Sequence, residues 1–129
     1  PRGIRNNNPG NIRHSATKWQ GQSVTQTDKS FVQFIGPEYG IRAISKILDT
    51  YRLKYGISTI RGIISRWAPA NENDTEAYIR FVSKVVGADA DVPLNMDLSK
   101  PQLIAAIIEQ ENGSQPYSPA LIVTASKLV

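Results

Sequence analysis

From Pro37 to the C-terminus, apolar residues recur at spacings of three and four, punctuated by Gly and Pro, and this rhythm constrains the fold more than any other feature. Ile41, Ile44, Leu48, Tyr51 and Tyr55 make one face of an amphipathic helix that starts at Pro37 and ends at Gly56. Ile60, Ile63, Ile64 and Trp67 make the inward face of a second helix, with Ser58 or Thr59 as N-cap and Pro69 as stop. Asn73-x-x-Glu76 reads as the capping box of a third helix, which turns Tyr78, Val82, Val85 and Val86 inward and closes at Gly87. After a loop over residues 88–98, Ser99-x-x-Gln102 with Pro101 in the first turn opens a fourth helix. It carries Leu103, Ile104, Ile107 and Ile108 and ends at Gly113, and Ser118-Pro119 opens a last helix running to about Leu128.

The first 36 residues have a different character, being rich in Asn, Gln, Ser, Thr and Gly. Ser23 to Thr27 and Ser30 to Ile35 carry β-branched and aromatic residues on both sides of Asp28-Lys29, a hairpin pattern. Before them, Asn6-Asn7-Asn8-Pro9-Gly10-Asn11 is a turn-forming cluster whose amides can hold backbone or ligand. With 129 residues, of which 40% are hydrophobic, one packed domain is expected over residues 1–129. Its class is mainly α (α+β): a polar loop and small β-hairpin over 1–36, then a helical part over 37–129.

Composition narrows the chemistry. There is no Cys and a single His, which removes disulfides, thiolate nucleophiles and Cys-based zinc sites and leaves few candidates for His-containing triads. Catalysis, if present, falls to carboxylates, and no metal or other cofactor is expected. No apolar run approaches the roughly 20 residues of a membrane span, and the N-terminal stretch lacks the apolar core of a signal peptide, so membrane insertion is not expected. Charge is asymmetric: residues 1–66 hold eleven Lys/Arg against three Asp/Glu, and residues 67–129 hold four against eight. A basic half suits a polyanionic partner, although the basic residues are dispersed as solvated surface charge usually is. No zinc-finger spacing, aromatic RNA-binding signature or helix-turn-helix pattern accompanies them, so nucleic acid is not expected as a partner.

The segment most suggestive of chemistry is Ile104 to Ser118, IAAIIEQENGSQPYS. Glu111 lies where an apolar helix ends, and both the apolar neighbours and the negative end of the helix favour a neutral carboxylic acid, the form a general acid needs. Glu109 lies about 200° round the helix at roughly 100° per residue and faces elsewhere. Taken alone, a Glu at a helix end is more often a solvated surface residue. Trp19, in a polar, Gly-flanked loop, is a candidate platform for stacking a sugar, whereas Trp67 reads as core. Glu72 and Asn73 are within reach of a cleft from the loop ahead of Tyr78, with capping the safer role for Asn73. His14, in a polar loop, reads as solvent-exposed.

The same segment resembles the catalytic stretch of lysozyme-like lytic transglycosylases, in which an apolar helix ends in Glu-Ser-Gly and Pro follows. Here Glu111-Asn112-Gly113 and Pro116 match, with Asn112 in place of the usual Ser. "DTEAYIRFV" resembles the acidic-Thr-x-x-Tyr-Val stretch of those enzymes, which implies that Tyr78 lines the cleft beside the acid; the helical pattern accommodates a core tyrosine equally well. "NNNPGNIRHSATKWQGQSVTQTDKSFVQF" resembles a stretch of flagellar-type endo-β-N-acetylglucosaminidases. That resemblance implies a sugar subsite shaped by Asn7, Asn8, Asn11, Trp19 and Gly21, and it sets Asp28 where that family has a second acid. A turn Asp is the competing reading of Asp28. Asn112 and Tyr117, on either side of Gly113, complete the expected substrate-binding set. "RGIRNNNPGNIR", "RWAPANENDTEAYI" and "ENGSQPYS" together are similar to a group of phage and prophage proteins described as virion structural or lysozyme-like.

In lysozyme-like enzymes the catalytic helix precedes the β-region, whereas here Glu111 lies near the C-terminus. A circular permutation of the lysozyme-like fold would reconcile the two orders, and it requires residues 1–12 to lie against the loop after Glu111. The resemblances imply an enzyme that cleaves peptidoglycan glycan strands at β-1,4 bonds with Glu111 as acid, or alternatively a non-catalytic virion or wall-binding module. The expected location is the phage virion or the host periplasm and cell wall, and a monomer is expected.

Overall fold

A computed structural model describes all of residues 1–129 and contains six helices and no extended strand. They are α1 (Arg2–Arg5), α2 (Pro37–Tyr55), α3 (Ile60–Trp67), α4 (Thr75–Val86), α5 (Met96–Asn112) and α6 (Pro119–Ser126). The fold is therefore all-α, and the expected β component is absent.

The helical pattern of the sequence translates directly into burial. Ile41, Ile44 and Leu48 of α2, Ile60, Ile63 and Ile64 of α3, and Ile104, Ile107 and Ile108 of α5 are fully enclosed. At roughly 1.5–3 kcal/mol for each buried aliphatic side chain, these nine residues supply much of the drive to fold. α5 lies at the centre: it packs on α1, α2, α4 and α6, while α2 closes against α6 and α3 against α4. This central position explains why α5 is apolar on more than one face.

Several boundaries differ from expectation for local reasons. α4 is capped by Asp74, whose carboxylate accepts from Ala77 N–H at 3.1 Å, and Asn73 instead donates its amide to Pro69 O. Val85 and Tyr55, expected to face inward, are exposed, and Ile79 is buried in α4. α5 begins at Met96 rather than Ser99. Asn95 supplies the cap by accepting from Asp97 N–H, Met96 is buried, and Pro101 sits inside the helix. α3 is capped by Thr59, and α6 follows Ser118 as its sequence indicates.

The hairpin around Asp28 does not form. Only two isolated antiparallel bridges occur, Arg13 with Phe31 and Gln22 with Phe34. Side chains take the partners a hairpin would need. The carboxamide of Gln26 accepts from Gln33 N–H and donates to Gln33 O, both at 2.8 Å, standing in for a strand peptide. Asp28 accepts from the N–H groups of Ser30 and Phe31. Val32 and Phe34 turn their N–H groups to the N-terminal segment, to Ile12 O and Asn6 O, while Gln33 O accepts from Ser23 N–H, and Val24 is left fully exposed.

Candidate functional site

Glu111 stands in the last turn of α5, before Gly113, whose left-handed backbone (φ 72°) lets the chain turn away. Two donors from distant parts of the chain meet its carboxylate. Asn11 donates Nδ2–H to Oε1 at 3.0 Å, and Tyr78 of α4 donates its hydroxyl to Oε2 at 2.9 Å. Hydrogen bonds to a charged group contribute about 1.5–3 kcal/mol each, so the pair fixes the orientation of the carboxyl group. Burial, then the neighbouring Glu111 charge and the hydrogen bond to it, push the Tyr78 hydroxyl far above its ordinary range, with Trp67 opposing. Tyr78 is therefore a proton-bearing donor at neutral pH.

The N-terminal segment is shaped to deliver Asn11. Asn8, Pro9, Gly10 and Asn11 form a turn closed by Asn11 N–H to Asn8 O, with Pro9 and Gly10 at its centre. Gly10 approaches Ile44 and Trp67 so closely that a Cβ would meet them at 2.8 and 3.1 Å. Asn11 adopts a left-handed conformation (φ 51°), which Asn tolerates better than most residues. Asn112 reinforces the seam by donating Nδ2–H to Pro9 O at 2.8 Å and to Ile108 O at 2.9 Å. The N-terminal residues thus lie against the end of α5.

Glu111 and Asn73 border two cavities. The larger, about 420 Å³, is lined by Asn11, Ile12, Arg13 and Phe31 of the N-terminal segment and by Ile47, Tyr51, Arg66 and Trp67 of α2 and α3, with Glu72 also in its lining. The smaller, about 200 Å³, runs along Asp74, Ala77, Tyr78 and Gln110. An extended molecule lying through both would pass the Glu111 carboxyl. This arrangement offers proton transfer at one point along a chain, with aromatic and amide groups to bind on either side.

No model of a described protein family matches the chain. A curated phage protein does: Protein P5 of Pseudoalteromonas phage PM2 is 48% identical over 120 residues, covering 91% of this chain and 74% of that protein. The chain belongs to the family of that phage protein. No helix is long and apolar enough to cross a membrane.

Within this phage family member, the expected site residues divide. Glu111, Tyr78 and Asn11 come together, and Asn112 lies beside them in a bracing role. Asn7 and Asn8 are structural. Asn8 is completely buried, donates to Ile12 O and Val32 O and accepts from Ile12 N–H, while Asn7 donates to Phe34 O. Trp19 packs against the core and is not part of either cavity wall. Tyr117 lines a separate apolar cavity between α5 and α6. Asp28 is not joined to Glu111: its carboxylate is held by Arg2 at 2.7 Å, by Asn6 at 2.9 Å and by two backbone N–H groups. Those partners, Arg2 foremost and then Asn6, hold it well below the usual carboxylate range. Trp67 packs against the core as expected and also lines the large cavity, as do Arg13, Phe31, Tyr51 and Arg66. Glu72 and Asn73 reach the cleft as the loop ahead of Tyr78 suggests.

Proposed function

We propose that this phage protein cleaves peptidoglycan glycan strands, with Glu111 as the general acid at a β-1,4 bond between amino sugars. The observation that carries this reading is the position of Glu111 where two cavities meet, with its carboxyl group oriented by Asn11 and Tyr78. Protonation of the glycosidic oxygen by Glu111 releases the leaving sugar as an alcohol and leaves a carboxylate, which the two donors stabilise. The carboxylate then takes a proton from the 6-hydroxyl of the remaining sugar as that oxygen attacks C1, closing an anhydro ring and restoring the acid. This lytic transglycosylase course needs no second carboxylate, which suits a cleft where Asp28 is committed to Arg2 and Asn6.

The contact of residues 9–11 with the end of α5 is what a permuted lysozyme-like order would require, and in that respect it supports the same reading. The test is loss of turbidity of purified cell walls with wild type and Glu111→Gln. Clearing by wild type and at least a hundredfold slower clearing by the variant is expected, in line with the usual worth of a general acid. Equal clearing by both rejects Glu111. Mass analysis of the products separates anhydro sugars from reducing ends. Binding of walls without clearing by either protein would assign a non-catalytic wall-binding role in the phage particle.

A further inference from the structure

The large cavity carries two arginines that the cleavage step does not use, one from the N-terminal segment and one from α3. Arg13 lies over the Phe31 ring, 5.0 Å from its centroid, and Arg66 lies over Tyr55 at 3.9 Å and within 5.6 Å of Tyr51. The ion pairs of the chain are Arg2 with Asp28, Arg61 with Glu76 and Asp91, and Lys100 with Asp49, so both cleft arginines are left without a carboxylate. A guanidinium laid on an aromatic ring has one face covered and its rim of N–H donors presented edge-on. That geometry suits bidentate binding of a carboxylate and loses less side-chain freedom on binding than a free arginine.

We propose that Arg13 and Arg66 are specificity-determining residues that select glycans bearing carboxylate substituents over neutral ones. The inference rests on reading the cleft as a glycan site, and it names the feature of the substrate that the cleft reads. Neutral chains of N-acetylated amino sugars present only hydroxyls and amides, which aromatic and amide groups accommodate. Carboxylate-bearing substituents of peptidoglycan would project from the sugar ring toward the walls, where the two guanidinium groups stand. Glu72, in the lining of the same cavity, repels such groups and so offsets part of the preference that the arginines create.

The experiment is calorimetric binding to the Glu111→Gln protein, which removes turnover, with three probes of equal length. These are a neutral N-acetylglucosamine oligomer, a peptidoglycan glycan fragment with free carboxylates, and that fragment with its carboxylates amidated. The acidic fragment should bind about tenfold more tightly than the amidated one, an effect that fades with salt. Adding Arg13→Gln or Arg66→Gln should cut that preference to about threefold or less, with a smaller fall in affinity for the neutral oligomer than for the acidic fragment, and Glu72→Gln should widen it. Equal binding of acidic and amidated fragments by the parent protein overturns the selectivity but leaves the glycan site standing. A preference untouched by either arginine substitution, or an equal fall for neutral and acidic probes, overturns the assignment to these residues. Failure of all three probes to bind removes the glycan reading itself and this inference with it.

Discussion

Residues 37–129 and residues 1–36 are held together by different physics. The helical part contributes nearly all of the core, with α2, α3 and α5 each burying aliphatic residues completely. The N-terminal part adds only Ile12, Val32 and Phe34 to the buried core and has many of its backbone groups held by side chains: Asn7, Asn8, Gln26 and Asp28 all bond to main-chain groups. Apolar transfer tolerates changes of shape, because any hydrophobic group of similar volume recovers most of it. A directional amide has no such substitute. The candidate site lies on the seam between these regions, taking Asn11 from one and Glu111 and Tyr78 from the other. Glu111 is thus anchored in the robust region and oriented in part by the exacting one.

Substitutions on the two sides of the seam should separate global stability from site integrity. The largest loss is expected for Ile107→Ala, a fully buried residue of the central helix: about 4 kcal/mol in denaturant unfolding, with hydrogen-exchange protection falling throughout the chain. Next comes Gly40→Ala, on the joint itself. Alanine favours a helix interior by about 1 kcal/mol over glycine, yet the added methyl would run into Asn7 O and Pro9 Cδ. A net loss of about 3 kcal/mol is expected, with protection lost first in residues 2–34; a stability gain would show that the two regions are not in firm contact there. Asn8→Ala removes three buried hydrogen bonds and should cost about 2–3 kcal/mol. Because it loosens the turn that presents Asn11, wall clearing should fall more in Asn8→Ala than in Ile107→Ala when both are assayed well below their melting points. Equal activity losses at matched fraction folded would show that the N-terminal region does not orient the acid.

The same contrast explains what could be read in advance. The ends of α2 and α3 followed from Gly56, Thr59 and Pro69, because a helix end is decided by local geometry. The start of α5 did not, since Asn95 and Ser99 are both good caps and burial of Met96, a tertiary effect, favours the earlier one. In the site, Glu111 and Tyr78 were legible from their resemblance to a known pair and their helical positions. Asn11 reads in the sequence as a polar contact to substrate; it lines the larger cavity and also bonds to Glu111, a partner one hundred residues away that the local pattern does not announce. Asn7 and Asn8 look the same in sequence whether their amides face a ligand or a peptide, and only the path of residues 31–34 decides it. The hairpin failed for a related reason: β-branched alternation says nothing of the Gln26 and Asp28 side chains that capture the backbone first.

The smallest effect expected concerns Asp28, and it tests whether that carboxylate belongs to the structural region or to the site. Arg2, then Asn6, then the Phe31 N–H lower its pKa in the folded chain, so folding favours the ionised form. Its stabilising contribution is complete above the ordinary aspartate value of about 3.9 and is lost as pH falls below it toward the depressed folded value, because the unfolded chain then binds a proton that the folded chain does not. Arg2 is half-exposed, and solvent screens the pair, which keeps the effect modest. Thermal melts between pH 7 and pH 2 should therefore fall more steeply below about pH 4 for wild type than for Asp28→Asn. At neutral pH the variant should clear walls at a rate close to wild type once both are folded. Parallel melting profiles would remove the linkage, and a loss of clearing comparable to that of Glu111→Gln would bring Asp28 back as a participant in the reaction.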